Sequence, residues 1–159
     1  MPKIEDVMTG KISVNDMQEV KIEDLLGREE VKLDMDAISN KLMEKAILIT
    51  GAGGSIGSEI CRQVTRFKPT QVILLGHGEN SIYTIYSELS ENRDNKEVEF
   101  IPIIADIQDR EKIFEVIQQY QPDVIYHAAA HKHVPLMECN PYEAVKNNIF
   151  GTKNMADAA

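Results

Sequence analysis

Short apolar runs alternate with longer amphipathic segments from Ala46 to the end of the chain. The apolar runs carry little charge, as expected of strands buried on both faces of a sheet, and they predict strands at 46–50, 71–75, 98–105 and 123–129. Between the runs, apolar residues recur every three or four positions, which is the period of a helix with one buried face. The alternation predicts an α/β fold, with a Rossmann-type parallel sheet of about four strands and helices on both faces.

Polar residues predict where the helices begin. One helix is predicted over about 55–67, and three more have predicted N-caps at Asn80, Asp109 and Asn140. Asn140 is followed by Pro-Tyr-Glu, which is typical of a capping box, and its helix is expected to reach the last residue. That helix has no stop signal, and four strands are fewer than the usual six, so the domain is expected to be truncated at its C-terminus.

Residues 1–45 lack this alternation and are rich in charge. They are predicted to form a linker or N-terminal arm, extended at first and helical from about Met35 to Glu44, with Asp34 as the N-cap. The chain therefore divides into an arm over 1–45 and a single α/β domain over 46–159.

Composition and charge disfavour several classes of binding partner. The chain has 159 residues and a formal net charge of −9, which disfavours a nucleic-acid surface or an anionic membrane surface. No apolar run has the roughly 20 residues that span a bilayer, and no signal peptide opens the chain. Two cysteines, Cys61 and Cys139, have no metal-ligand spacing and are expected to be reduced thiols of a cytoplasmic protein without a metal site.

The strongest chemical signal is the glycine-rich turn TGAGGSIG, directly after the first predicted strand. Gly51 permits a tight turn, Gly54 lets a pyrophosphate approach the backbone, and Gly57 lets the helix pack close to the sheet. The free N–H groups of Ser55, Ile56 and Gly57 would point at the phosphates from the positive end of the helix. Strand, turn, helix and second strand occur in the order of a dinucleotide site, and no Walker lysine follows the glycines.

Other polar groups are predicted at the same edge of the sheet. A site selective for NAD has a carboxylate at the end of the second strand, but Gly76 stands there, so the choice between NAD and NADP stays open. The residues after it that could reach the ribose are His77, Glu79 and Asn80. Asp106 and Ile107 follow the third strand, and Ala128, Ala129, Ala130 and Lys132 follow the fourth.

Four segments carry a resemblance to a known family: EDLLGR at 23–28, TGAGGSIGSE, AAAHKHVPLME and NNIFGT. Together they resemble the nucleotide-sugar 4,6-dehydratases of bacterial capsule and O-antigen biosynthesis, within the extended short-chain dehydrogenase/reductases. The resemblance covers nearly the whole chain. It implies that NAD or NADP is used transiently to convert a UDP-sugar, expected to be UDP-N-acetylglucosamine, into a 4-keto-6-deoxy sugar. EDLLGR is typical of large, membrane-anchored members, so the parent is expected to be anchored with this portion in the cytoplasm.

The resemblance also implies roles for individual residues. The glycine turn would hold the pyrophosphate, Asp106 and Ile107 would flank the adenine, and residues 128–130 would back the nicotinamide half. Lys132 would face both cofactor and substrate, and Asn148 would support the active-site geometry. The family's Thr-Asp-Lys set and its Tyr- or Met-x-x-x-Lys pair are absent, so the chain alone is expected to be inert. Its fourth strand would have an unpaired edge, which favours self-association, as a homo-oligomer, or cover by the arm.

Two alternatives remain open on the sequence. An epimerase or reductase of the same superfamily would share the glycine turn and differ mainly in the missing part. A domain that senses a dinucleotide without chemistry would also keep this turn. The downstream Lys and Tyr residues of the parent would discriminate the sensing domain from the enzymes.

Overall fold

The computed structural model describes residues 34–159, and the predicted extended lead-in before them lies outside the described residues. Residues Met35–Ala159 form one compact unit. Its strands are β1 (Ala46–Thr50), β2 (Gln71–Gly76), β3 (Glu99–Ile104) and β4 (Val124–His127). All pairings are parallel and the order across the sheet is β3-β2-β1-β4, which confirms the Rossmann-type prediction.

Five helices of the described unit surround or precede the strands. They are α1 (Met35–Leu42), α2 (Ser55–Thr65), α3 (Glu79–Glu91), α4 (Arg110–Tyr120) and α5 (Val134–Cys139). A short 3₁₀ turn at Arg93–Asn95 occupies the predicted polar loop between α3 and β3.

The end of the described chain is helical in three consecutive pieces. These are α6 (Pro141–Ala144), a π-helical segment (Val145–Gly151) and α7 (Thr152–Ala158). We refer to Val145–Gly151 as the π segment. A π turn holds more residues than an α turn, so it changes which side chains face the sheet along one helix, and such turns are frequent at functional sites.

Helices cover both faces of the sheet, as predicted. In β1, Ile47 and Ile49 belong to one buried apolar cluster and Leu48 belongs to the other. α1, α2 and α3 contribute to the first cluster, whereas α4 and α7 contribute to the second. Alternate side chains of a strand point to opposite faces, so a strand buried on both sides must be apolar throughout.

Of the N-caps predicted at Asn80, Asp109 and Asn140, the last two lie at N-cap positions in the structure and Asn80 does not. The Asp109 carboxylate accepts a hydrogen bond of 3.0 Å from the Lys112 N–H, which confirms that cap. The Asn80 prediction is wrong because the first helical bond of α3 runs from the Ile82 N–H to the Gly78 carbonyl, so Asn80 lies inside the first turn.

The predicted capping box at Asn140 does not form. The Asn140 side chain donates from Nδ2 to the Leu136 carbonyl at 2.9 Å, and its backbone N–H donates to the Met137 carbonyl. Asn140 therefore completes the end of α5, a helix that the sequence pattern did not predict. The Glu143 carboxylate accepts from Lys146 instead of from the cap.

Pro102 lies within β3, where its place in a strand was uncertain on sequence. β3 pairs only with β2 among the described strands, so it is an edge strand. An edge strand tolerates proline because one side of it needs no ladder hydrogen bonds. Within residues 34–159, no helix combines the length and apolar character needed to cross a bilayer.

Candidate functional site

A cavity of about 230 Å³ lies at the carboxyl ends of the strands. Three segments line it: the glycine-rich turn after β1, the junction between β2 and α3, and the chain after β4. The lining residues are Gly51, Gly53, Gly54, Gly76, His77, Gly78, Ser81, Ala128, Ala129, Ala130, His131 and Asn147. Ligands of open parallel sheets bind in a crevice of this kind, between strands whose connections run in opposite directions. We call this cavity the crevice.

Gly51 makes the turn off β1 possible. Its φ of +64° is a left-handed conformation that residues with a side chain rarely adopt. A Cβ at Gly51 would also lie 2.9 Å from the Ala128 carbonyl carbon and from the Ala129 Cα. The turn and the chain after β4 are therefore in close backbone contact, which only glycine permits.

Gly57 and Gly54 differ in how closely the turn approaches them. A Cβ at Gly57 would lie 2.0 Å from the Gly51 carbonyl oxygen, so Gly57 allows α2 to pack on the turn. A Cβ at Gly54 would lie 3.2 Å from the same oxygen. Gly54 is exposed on the crevice, where a missing side chain leaves room for a ligand.

The start of α2 presents backbone donors beside the crevice. The first helical hydrogen bond runs from the Ser58 N–H to the Gly54 carbonyl, at 2.8 Å. The N–H groups of residues 55–57 therefore precede the helical ladder and have no intrahelical acceptor. A helix start of this kind binds anions through its N–H groups and its dipole.

Gly53 is a site residue that the sequence pattern did not single out. A Cβ at Gly53 would lie 2.4 Å from the Ser81 Oγ, and a Cβ at Gly78 would lie 2.8 Å from the same atom. The Ser81 hydroxyl donates to the Gly78 carbonyl at 2.9 Å. Two neighbouring loops thus meet through glycine backbone, a contact that only the assembled fold makes visible.

The end of β1 is tied to the end of β4 by a hydroxyl and an imidazole. Thr50 is fully buried, and its Oγ1 lies 2.7 Å from the His127 Nδ1. The same hydroxyl accepts from the backbone N–H groups of Ala128 and Ala129, at 3.1 and 3.3 Å. On its other side, the His127 ring contacts the Thr152 hydroxyl of α7 at 3.0 Å. Partial burial lowers the pKa of His127 below 6.5.

Asn148 holds the chain after β4 by both ends of its side-chain amide. Its Oδ1 accepts from the His131 N–H and its Nδ2 donates to the His131 carbonyl, both at 2.9 Å. The neighbouring Asn147 donates to the Asn148 Oδ1 and lines the crevice. Both asparagines lie in the π segment, which thus brings two consecutive side chains to the same edge of the sheet.

The loop after β3 lies beside the crevice without lining it. The Asp106 carboxylate accepts from the Gln108 N–H, and Ile107 is only 3% exposed. A Cβ at Gly151 would lie 2.6 Å from the Ile107 side chain. Asn154 donates to the carbonyls of Ile107 and Gln108, so α7 fixes the backbone of this loop.

The structure brings part of the predicted site together. Of the predicted cofactor residues, Gly51, Gly54, His77, Ala128, Ala129 and Ala130 line the crevice. Ser55, Ile56 and Gly57 begin α2 at its border, and Glu79 and Asn80 are exposed in the first turn of α3. Lys132 is exposed next to the residue that Asn148 holds.

The crevice is poor in charge. Its lining includes two histidines and no carboxylate. Among residues 34–159 there is no group of three His, Cys, Asp or Glu side chains that could hold a metal ion. A second hollow of about 560 Å³ lies at the edge of β4, away from the glycine turn, and residues of α4 and β4 line it with Ala159.

Comparison with known proteins identifies the family of the chain that forms this crevice. The family described as polysaccharide biosynthesis protein matches residues 47–159. The chain belongs to this polysaccharide biosynthesis family. The matched region contains all four strands, the glycine turn and the π segment.

Two curated relatives show the range of the likeness. The capsular polysaccharide biosynthesis protein CapD of Staphylococcus aureus is 60% identical over the whole chain, which spans 26% of that protein. The UDP-N-acetylglucosamine 4,6-dehydratase (inverting) of Campylobacter jejuni, strain 81-176, is 34% identical over 115 residues, 72% of this chain and 32% of that protein. The chain thus spans about a quarter to a third of these relatives.

Solved structures show the same fold. The UDP-glucose 4-epimerase of Stenotrophomonas maltophila, solved with bound NAD, superposes with a TM-score of 0.63 over 72% of this chain and 33% of that one. Their sequences are 24% identical, so this likeness bears on the fold alone.

Proposed function

We propose that this chain is the NAD(P)-binding part of a nucleotide-sugar 4,6-dehydratase that serves the synthesis of a bacterial surface polysaccharide. The observation that carries the proposal is the glycine cradle. Gly51, Gly54 and Gly57 remove side chains at three contacts that a Cβ would fill or narrow, in the turn and the first residues of α2 that carry the free N–H groups. Membership of the polysaccharide biosynthesis family and the dehydratase relative support the reaction class.

The residues of the crevice fit a dinucleotide. The N–H groups of Ser55, Ile56 and Gly57 would bind its pyrophosphate, because they lack acceptors within α2. The small side chains of residues 128–130 leave room for the nicotinamide half, and the Asp106–Ile107 backbone would border the adenine. The bound dinucleotide would supply reversible hydride transfer, first from the sugar and then back to it.

The end of β2 favours acceptance of NADP as well as NAD. A Cβ at Gly76 would lie 2.9 Å from the Ile82 side chain, which is 1% exposed, so a carboxylate there would disturb the core. The crevice lining contains no carboxylate that could accept from a 2′-hydroxyl or repel a 2′-phosphate, and the Glu79 carboxylate beside it is exposed, where solvent and salt weaken its repulsion. Glu79 and Asn80 are exposed nearby and His77 lines the crevice, so these three residues would contact the ribose.

The substrate part of the proposal is a UDP-sugar, with UDP-N-acetylglucosamine as the first candidate. Lys132 would face cofactor and substrate, and Asn148 would support the site through its two bonds to His131. The isolated chain is proposed to be inert, since the catalytic residues implied by the resemblance are absent from it. We extend the proposal to a membrane-anchored parent with this portion in the cytoplasm.

Calorimetric titration of the purified chain with NADP, NAD and UDP-N-acetylglucosamine tests the proposal. We expect both dinucleotides to bind, NADP at least as tightly as NAD. Gly54→Ala should weaken dinucleotide binding about tenfold or more, because its Cβ would occupy the space of the pyrophosphate. The exposed Ser90→Ala on α3 is the matched control and should bind like the wild type.

If neither NADP nor NAD binds to the folded wild-type chain, the proposal is contradicted. The proposed homo-oligomer is tested by sedimentation velocity, which measures the mass of the same purified chain in solution.

β4 is an edge among the described strands, and Tyr142, Ile149 and Phe150 are 55 to 77% exposed. A monomer at all concentrations would count against self-association without touching the cofactor proposal.

A further inference from the structure

The hydrogen bonds of Thr50 fix where the protons lie at the end of β1. A hydroxyl has one proton to donate and two lone pairs that accept. The backbone N–H groups of Ala128 and Ala129 can only donate, and both point at the Thr50 Oγ1. The Ala128 N–H is also shared with the Thr50 carbonyl oxygen, at 3.2 Å. Among the described residues, the buried Thr50 hydroxyl has one recorded acceptor for its own proton, the His127 Nδ1, so the short 2.7 Å contact is a bond donated by Thr50.

The state of the imidazole follows from this count. Nδ1 of His127 accepts from Thr50, so it carries no proton. A neutral ring then carries its proton on Nε2, which donates to the Thr152 hydroxyl at 3.0 Å. This tautomer gives the Thr50 proton an acceptor, whereas the Nδ1–H tautomer would donate to the Thr50 hydroxyl and leave that buried proton with no recorded acceptor among the described residues.

We propose that His127, as the Nε2–H tautomer, is the positioning residue of the crevice, holding the wall at Ala128–Ala130 against the glycine turn. This inference rests on the proposed function, because the wall borders the space assigned to the nicotinamide half. The contact is close: a Cβ at Gly51 would lie 2.9 Å from Ala128. The Thr50 hydroxyl sets that distance by accepting from the first two N–H groups of the wall.

Protonation of His127 would disturb the wall. The imidazolium carries a proton on Nδ1 and must donate there, so the Thr50 hydroxyl would have to turn and give one lone pair to the ring. The Thr50 proton would then lose its acceptor and the ring would compete with the Ala129 N–H for the hydroxyl oxygen, whereas the Ala128 N–H also has the Thr50 carbonyl at 3.2 Å. A buried donor without a partner is costly, so the wall would shift toward another arrangement.

The groups around the ring do not replace this link. Thr50 of β1 carries no charge, and on α7 the nearest charged residue in sequence to Thr152 is Lys153, which is paired with Asp157. After β4 the titratable residues are His131 and Lys132, and the recorded bonds of His131 are those of its backbone to Asn148. Among the described residues, the recorded ring contacts of His127 are the two threonine hydroxyls.

The sign of the pH effect follows from burial. Burial lowers the pKa of His127 in the folded chain, so below pH 6.5 the unfolded chain binds more protons than the folded chain. The stability from this group is therefore complete above pH 6.5 and declines as the pH falls toward the folded-state value. Dinucleotide binding by the folded chain should weaken at the lower end of that range, as the pH falls through the folded-state value, if the neutral ring positions the wall.

Nitrogen-15 NMR of the four histidines tests the tautomer without any ligand. At pH 7.5 the His127 ring should show a protonated Nε2 and an unprotonated Nδ1, with the signal assigned by its absence in His127→Asn. A protonated Nδ1 in the neutral ring would overturn the proposal. This result does not depend on whether the chain binds a dinucleotide, so it separates this proposal from the proposed function.

Two replacements of His127 test the positioning role. The side-chain oxygen of His127→Asn can accept at the place of Nδ1, whereas His127→Gln supplies a group only near Nε2. Amide hydrogen exchange at Ala129, whose recorded acceptor is the Thr50 hydroxyl, should stay slow in the Asn variant and become about tenfold faster in the Gln variant, since tenfold corresponds to the loss of about one hydrogen bond. NADP affinity should follow the same order, and His133→Asn, in the loop before α5, serves as the control.

The pH profile completes the test. NADP affinity of the wild type should fall below pH 6.5, whereas that of His127→Asn should be flat there because the titrating ring is gone. Equal exchange rates and equal pH profiles in wild type and both variants would overturn the positioning role. If the wild type binds no dinucleotide, the exchange rates and the NMR signature still decide the role of His127 in holding the wall.

Discussion

The strand pair β1–β4 is closed at its two ends by different chemistry. At the start, the Asp123 carboxylate accepts from the Ala46 N–H at 2.9 Å and from Lys45 Nζ at 3.2 Å. At the other end, Thr50 and His127 make a neutral link that also binds the next two backbone N–H groups. The charged end is exposed, with side chains 44% and 42% accessible, whereas Thr50 is fully buried.

The difference between the two ends shows where the positions of the two strands must be fixed closely. Water can replace either partner of an exposed ion pair, so that end tolerates change. A buried hydroxyl has no such substitute, and each of its bonds has one partner in one place. The neutral link occurs at the crevice end, where the separation between two chain segments determines the shape of the site.

Among the changes at the crevice end of β1–β4, a side chain at Gly57 is expected to cause the largest loss of stability and binding. Gly57→Ala would place a Cβ 2.0 Å from the Gly51 carbonyl oxygen, and relief requires α2 or the turn to move. Because the turn also contacts Ala128, the movement would reach β4. We expect the free energy of unfolding in urea to fall by about 3 kcal/mol, with loss of dinucleotide binding.

Gly54→Ala is the matched variant for this measurement. Its Cβ would lie 3.2 Å from the same oxygen, and the Gly54 φ of −80° suits alanine. This variant should keep most of its stability and lose binding only. Equal stability of the two variants would show that Gly57 is not the contact that holds α2 to the turn.

The architecture could be predicted because its cause is local. Each strand is a short apolar run and each of α2, α3 and α4 repeats apolar residues at helical spacing, so the periods alone separate them. The N-cap at Asp109 was predictable for the same reason, since its carboxylate accepts from the Lys112 N–H, only three residues along the chain. Helix α5 was not, because six residues with a proline give almost no period.

The part of the site that could be predicted from sequence is the part formed by a pattern of glycines. Gly51, Gly54 and Gly57 form a pattern along the chain, but Gly53 matters through Ser81, which lies on another element. Thr50 and His127 are the last residues of their strands, and nothing in either strand alone reveals that their side chains bond. The π segment was likewise predicted as ordinary helix, since nothing in the local sequence pattern marks its extra residue per turn.

A smaller change to the same end removes only the hydroxyl of Thr50. Thr50→Val keeps the shape and leaves the Ala129 N–H and the His127 Nδ1 without their partner, whereas the Ala128 N–H keeps the carbonyl oxygen of residue 50. We expect a loss of about 2 kcal/mol in the free energy of unfolding and NADP binding weaker by about tenfold. Urea denaturation and calorimetry measure the two effects.

Thr50→Ser is the control because it restores the hydroxyl and removes one methyl group. It should lose about 1 kcal/mol, from burial alone, and bind NADP like the wild type. If the valine variant binds as well as the serine variant, the hydroxyl is not what positions the wall.

The smallest effect is expected at the opposite end of the pair. Lys45→Met removes the exposed ion pair and keeps the long apolar stem, while Asp123 still accepts from the Ala46 N–H. We expect the thermal midpoint and NADP affinity to match the wild type within error, because exposed pairs of this kind contribute little.

Asp123→Asn sharpens the result at the charged end. The Ala46 N–H and Lys45 lower the pKa of Asp123 below 3.8, so its stabilising effect is complete above that pH and is lost as the pH falls. The Asn variant should remove that acid-dependent part without changing NADP binding at pH 7.5. Weaker binding in either variant would mean that both ends of β1–β4 set the geometry of the crevice, and the contrast between a tolerant end and a precise end would be wrong.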